Sequence, residues 1–206
     1  MQKLSLVLQA GGKSTRMGQD KALVTFQGMT MIEYILQQTH SLAQDAIIIT
    51  NTPEDYRFLN LPLFPDVIPN WGALGGLYSA LYHAPQESCL VLACDMPFIN
   101  RPLLDYLISL APGYDAVIPH LDPTGNTMPA FAEPFRAVYR KTCLSPIKTA
   151  IEAGHRRVIS FFDQVRIRFV TRSEIEVFDP DLRTFLNVNT PEDLEKANQL
   201  ARSLLN

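Results

Sequence analysis

Residues 8–21, Leu-Gln-Ala-Gly-Gly-Lys-Ser-Thr-Arg-Met-Gly-Gln-Asp-Lys, constrain this chain more than any other stretch. They follow an apolar run (Leu4, Leu6, Val7, Leu8) that reads as a buried strand, so the glycines fall where its carboxyl end opens into a loop. Gly11 and Gly12 free the backbone to curl and bring its N–H groups close to an anion. Arg16 and Lys21 add mobile positive charge to the same segment. An amide-lined loop with two cations on a buried strand suits a triphosphate. It is not a Walker A loop, which needs glycine five residues before Gly12-Lys13-Ser14, where Val7 stands. Nor is it the Gly-x-Gly-x-x-Gly dinucleotide fingerprint, because its glycines are adjacent.

The rest of the chain alternates strand and helix. Helical spacing is expected over 29–43 and 73–83, and over 102–110. Apolar strands are expected at 46–50, 61–64, 89–93 and 116–118, then 128–132. Two helical stretches are expected at 133–142 and 146–153, then paired strands at 157–162 and 165–170. Repeated β–loop–α units imply a Rossmann-like three-layer α/β/α fold with a mostly parallel mixed sheet. In such sheets ligands collect beyond the carboxyl ends of the strands, which puts the Gly11 loop, Asn51, Asp66 and Asp95 on one rim.

At 206 residues and 47% hydrophobic, the chain has material for one good α/β core, expected as one domain over 1–206. A net charge of −3 argues against a general nucleic-acid or membrane-surface binder. Three cysteines without Cys-x-x-Cys spacing make a disulfide framework unexpected. With no leader pattern and no membrane-length apolar run, a cytoplasmic enzyme is the expectation.

The second strong element is Cys89-Leu-Val-Leu-Ala-Cys-Asp95-Met-Pro-Phe98, a hydrophobic strand that delivers one carboxylate to the rim. Asp95 by itself reads equally as a helix cap or as a hard oxygen ligand for Mg²⁺; the phosphate loop upstream favours the metal. Asn187-Val-Asn189 presents two amides on one face with Val188 turned inward. Asn-Thr-Pro-Glu-Asp occurs at 51–55 and again at 189–193, each reading as a helix start after a strand. The Asp66 carboxylate suits the paired donors of guanine, and Asn51 a base or ribose, although both read equally as turn residues. Gly72 and Gly76 permit close backbone approach before a helix. Arg156 and Arg157 are candidates for an anionic acceptor or ordinary surface charges.

These motifs resemble the Gly-Gly-x-Ser-x-Arg-Met-Gly-x-Asp-Lys loop of nucleotidyltransferases, above all molybdenum cofactor guanylyltransferases of the MobA type. The likeness runs almost end to end, through Cys94-Asp-Met-Pro-Phe, Gly72…Gly76, Ala153-Gly-His-Arg-Arg-Val and Phe185-Leu-Asn-Val-Asn-Thr-Pro-Glu-Asp-Leu. It implies a nucleotide-diphospho-sugar transferase-like fold and GMP transfer from GTP to molybdenum–molybdopterin, with release of pyrophosphate. Nucleotide-binding positions carry over to Gln9, Ala10, Gly11, Lys21, Asn51, Asp66 and Asp95, with Asp95 as the Mg²⁺ ligand. Other functional positions match Gly12, Arg16, Gly72, Gly76, Arg157, Asn187 and Asn189. Of these, Arg16 and Lys21 join Asp95 in catalysis, Gly12, Gly72 and Gly76 attend the nucleotide, and Arg157, Asn187 and Asn189 meet the acceptor. Gln9 departs from the family's usual leucine, which matters to nucleobase choice if its side chain touches the base. The expected partners are GTP, molybdopterin cofactor, delivery proteins and apo-molybdoenzymes, with a monomer as the working unit. The rival readings are a cytidylyl or sugar-phosphate nucleotidyltransferase, and a non-catalytic GTP or cofactor carrier.

Overall fold

The computed structural model describes residues 3–10, 20–124 and 129–204. Gly11, Gly12 and Arg16 lie outside them. A seven-stranded sheet runs in the order β5-β4-β1-β6-β8-β7-β9. Its strands are β1 (Leu4–Gln9), β4 (Asp45–Ile49), β5 (Leu63–Phe64), β6 (Ser88–Ala93), β7 (Ala116–His120), β8 (Arg136–Arg140) and β9 (Ile167–Thr171). All neighbours are parallel except β8, which is antiparallel to both β6 and β7. A small hairpin, β2 (Thr25–Phe26) with β3 (Met29–Thr30), stands apart from it. The α-helices among the described residues are α1 (Met31–Thr39), α2 (Gly72–His83), α3 (Arg101–Ser109), α4 (Leu144–Glu152), α5 (Arg172–Glu176) and α6 (Pro191–Ser203).

Alternation along β1 builds two cores. Leu4, Leu6 and Leu8 point into one, shared with Ile32 and Ile35 of α1, Leu103 and Leu107 of α3, and Ala197 and Ala201 of α6. Val7 points into the other, which holds Leu74 and Leu77 of α2 and Ile147 and Ile151 of α4. Three α/β/α layers result.

β1 is the switch point of the winding. β4 hydrogen-bonds along one side of it and β6 along the other, with Gln9 level with both Ile49 and Ala93. The strand order thus reverses at β1, and the carboxyl ends of β1 and β6 mark the usual ligand position in sheets of this type. The rim expected for Asn51, Asp66 and Asp95 follows from this register, because Phe64 of β5 lies level with Ile49.

Four sequence expectations are corrected. Residues 29–43 are not one helix: Met29–Thr30 pairs in the hairpin, and Thr30 then caps α1 in a capping box with Glu33. Where a helix was expected over 133–142, the chain forms β8, because Arg136, Val138 and Arg140 alternate with Ala137 and Tyr139 across a sheet buried on both faces. The strand expected at 128–132 is a 3₁₀ turn over Pro129–Phe131, followed by a bridge from Ala132 to His120. Val158–Gln164 is also 3₁₀, so β9 pairs with β7 instead. The repeated Asn-Thr-Pro-Glu-Asp behaves differently at its two sites. Thr190 caps α6 through the Asp193 N–H, whereas Thr52 makes no side-chain cap to its 3₁₀ segment.

Candidate active site

The centre of the site is Lys21. Its ammonium lies 3.5 Å from Asp95 Oδ2 and donates a short hydrogen bond to Asn189 Oδ1. Three segments far apart in sequence thus meet at the carboxyl ends of β1 and β6. Both ion-pair partners keep about a quarter of their side-chain surface exposed, so they face a ligand while being held by protein.

Each has a support. Asp20 caps the short turn carrying Lys21 by accepting from Ala22 N, and its other oxygen accepts from the buried Tyr56 hydroxyl at 2.6 Å. Burial and the Asp20 bond push the Tyr56 hydroxyl far above its usual range, so it stays a donor. Asp95 is fixed through its own backbone: Val188 N donates to Asp95 O at 2.7 Å. That bond ties the 187–189 segment to the residue that follows β6, with Val188 buried, Asn187 exposed and Asn189 against Lys21. The in-and-out alternation expected for 187–189 holds, although the segment is not a strand of the sheet.

Asn51 and Asp66 form a second constellation on the same rim. Asn51 Nδ2 donates to Asp66 Oδ2 at 2.8 Å while Asp66 N donates to Asn51 Oδ1 at 3.0 Å. The reciprocal pair is exposed and commits one carboxylate oxygen to Asn51.

Gln9 ends β1 with its side chain on the α2 side. A Cβ built on Gly76 would sit 3.1 Å from Gln9 Oε1, so glycine there makes room for this amide. Gln9 Nε2 is buried and has no hydrogen-bond partner among the described residues. Ala10 is buried and continues the strand by donating to Ile49 O. Gly72 opens α2 at φ +54°, a left-handed conformation that favours glycine, and the helix start has no side-chain cap. Arg157 is exposed ahead of the 3₁₀ segment, while its neighbour Arg156 stacks 4.8 Å over Trp71 and donates to Asn70 O.

Sequence reading missed the Asp20–Tyr56 bond and Arg136, and it gave the glycines of the Trp71–Leu77 run to ligand approach, whereas Gly75 serves packing. Gly75 packs so tightly under Trp71 and the Ile68 carbonyl that a Cβ would lie 2.8 and 3.0 Å from them. Asp20 was visible within the Gly-x-Asp-Lys run; its partner, thirty-odd residues on, was not. The thiol of Cys94, buried beside Asp95, is pushed well up by burial and then by that carboxylate, so it is no nucleophile. All three cysteines are free.

An acid and a lysine converge at the switch point of a mostly parallel sheet, the ligand position of such folds, and with the family match that follows they mark a nucleotide-handling enzyme of the nucleotidyltransferase class. The chain belongs to the family described as the MobA-like NTP transferase domain, whose sequence model matches residues 6–167. It is 36% identical over 197 residues to the probable molybdenum cofactor guanylyltransferase of Pelotomaculum thermopropionicum, covering 96% of this chain and 93% of that one. It is 31% identical over 198 residues to the molybdenum cofactor guanylyltransferase of Desulfosudis oleivorans, covering 96% and 95%. Among solved structures, molybdopterin-guanine dinucleotide biosynthesis protein A of Archaeoglobus fulgidus superposes with a TM-score of 0.80 at 26% identity, over 97% of this chain and 99% of that one. The fold is also that of 2-C-methyl-D-erythritol 4-phosphate cytidylyltransferase from Thermus thermophilus, at a TM-score of 0.67.

Proposed function

We propose that this chain, as one nucleotidyltransferase domain, transfers GMP from GTP to the terminal phosphate of molybdenum–molybdopterin and releases pyrophosphate. The observation that carries the reading is the meeting of Lys21, Asp95 and Asn189 at the carboxyl ends of β1 and β6. The near full-length likeness to guanylyltransferases supports the choice of substrates over a cytidylyl enzyme or a passive carrier.

The donor set suits Mg²⁺. Among the described residues no group of three or more His, Cys, Asp or Glu side chains could cage a metal ion. Mg²⁺ in phosphoryl-transfer sites takes one or two carboxylates and completes its shell with phosphates and water, which a lone, partly exposed Asp95 permits. Held by Asp95, Mg²⁺ would neutralise and orient the phosphate oxygens. The acceptor phosphate oxygen attacks the α-phosphorus, and the bond to the bridging oxygen of pyrophosphate breaks with its electron pair leaving on pyrophosphate. Lys21 stabilises that charge, assisted by Arg16 and the amides of Gly11 and Gly12. Asn189 keeps the ammonium aimed, so its charge needs no reorganisation during the reaction. No protein nucleophile is required, because positioning and electrostatics carry such transfers.

The base is read at the Asn51–Asp66 pair. Asp66 accepts from the N1–H and 2-amino groups of guanine, a paired-donor edge that adenine lacks, while Asn51 holds its orientation. Gln9, Ala10, Gly72 and Gly76 form the floor, and Arg157, Asn187 and Asn189 face the acceptor. The enzyme works in the cytoplasm as a monomer that exchanges cofactor with delivery proteins and apo-molybdoenzymes. No helix among the described residues is long and apolar enough to cross a membrane. Incubation with Mg²⁺, molybdopterin cofactor and each NTP in turn tests the reading: pyrophosphate release with GTP is expected, and release with CTP alone rejects it.

A further inference from the structure

Arg136 opens β8 directly beside the strand that delivers Asp95, with Leu92 as its register partner. Its side chain is completely buried. Among the described residues one hydrogen bond holds the guanidinium: Nη2 donates to Met96 O at 2.6 Å. Nε and Nη1 are buried and have no partner among the described residues. Burial pushes the guanidinium down to about 10, against the pull of Asp95, Glu133 and Asp179, so it remains a cation at neutral pH.

A buried charge with two orphaned nitrogens costs stability, and an apolar side chain of similar volume does better in such a place. The one bond it makes falls on the residue after Asp95. The Asp95–Met96 turn is therefore clamped from both sides, by Val188 N on Asp95 O and by Arg136 on Met96 O. Pro97 follows at once and has no N–H with which to anchor the turn itself.

Resting on the magnesium-dependent reading above, we infer that Arg136 is a positioning residue, held at a cost to stability, that sets the Asp95–Met96 turn so that Asp95 meets the metal–triphosphate. Groups that orient a metal ligand change metal affinity or activity by about 10–100-fold when removed.

The test compares wild type with Arg136→Met in two measurements: thermal melting, and equilibrium GTP binding across a MgCl₂ titration. The variant should melt at the same temperature as wild type or higher. The Mg²⁺ concentration that half-saturates GTP binding should rise by about 10–100-fold, with Mg²⁺-free GTP binding unchanged. A variant that melts lower or fails to fold overturns the inference, because the guanidinium is then a structural asset. An unchanged Mg²⁺ titration overturns it equally, because the turn then needs no such clamp. Wild type that shows no Mg²⁺-promoted GTP binding rejects the underlying metal reading instead, so the two failures are told apart.

Discussion

Lys21 and Asp95 form an ion pair of 3.5 Å between the turn after the glycine segment and the end of β6. The pair keeps two opposite charges at one point of the rim, each available to a ligand of the other sign. Lys21→Ala should lower the rate of GMP transfer by about 10²–10³, the range for removing one preorganised charge-stabilising group. Asp95→Ala should abolish Mg²⁺-dependent transfer with the circular dichroism spectrum unchanged. Asn189→Ala removes the hydrogen bond that aims the ammonium, together with an amide that faces the acceptor, and a loss of about tenfold or more is expected. Steady-state pyrophosphate release measures all three, and an Asp95→Ala protein with full activity would remove the metal assignment.

Asp66 should decide the base. In Asp66→Ala the acceptor for the guanine 2-amino group is gone, so the preference for GTP over ITP, which lacks that group, should shrink by about tenfold or more. Competition between the two nucleotides reads the ratio. A ratio equal to that of wild type would show that the base is read elsewhere.

The adjacent glycines of α2 should respond oppositely to alanine. Gly75→Ala sets a methyl group 2.8 Å from Trp71 Cβ and 3.0 Å from a backbone carbonyl, neither of which moves easily. A loss of about 1–3 kcal/mol is expected in denaturant unfolding. Gly76→Ala meets only the end of the Gln9 side chain at 3.1 Å, so stability should hold while GTP binding weakens as Gln9 shifts.

Acid sensitivity should centre on Glu174. Its burial pushes the carboxyl up, but Arg168 and the Thr171 cap outweigh this and hold it at about 2, below its ordinary 4.5. A folded value below the unfolded one contributes stability that is complete above about pH 4.5 and lost as pH falls through about 2. The contribution is on the order of 3 kcal/mol at most. Glu174→Gln should therefore melt lower than wild type at pH 7, with the difference closing as both are acidified toward pH 2.

The sequence disclosed the site better than the second half of the fold. Gly11-Gly12, Asp95 and Asn187-Val-Asn189 announce themselves because their residue types are unusual beside apolar strands, and the parallel-sheet rule places Asn51, Asp66 and Asp95 on one edge. β8 is ambiguous in the sequence because a short Ala-Val-Tyr stretch between two arginines fits helix and strand alike, and only pairing with β6 and β7 decides between them. The Asp20–Tyr56 bond and the burial of Arg136 were not legible. Both arise from contacts between segments remote in the chain, and neither residue type announces its partner.

The bond from Val188 to Asp95 has a consequence for biosynthesis. During synthesis Asp95 leaves the ribosome well before Val188, so the acid stands without its backbone partner until the later segment is made. Such a long-range closure is slow to form. Chains that stop before Val188 would thus carry the acid without the segment that fixes it.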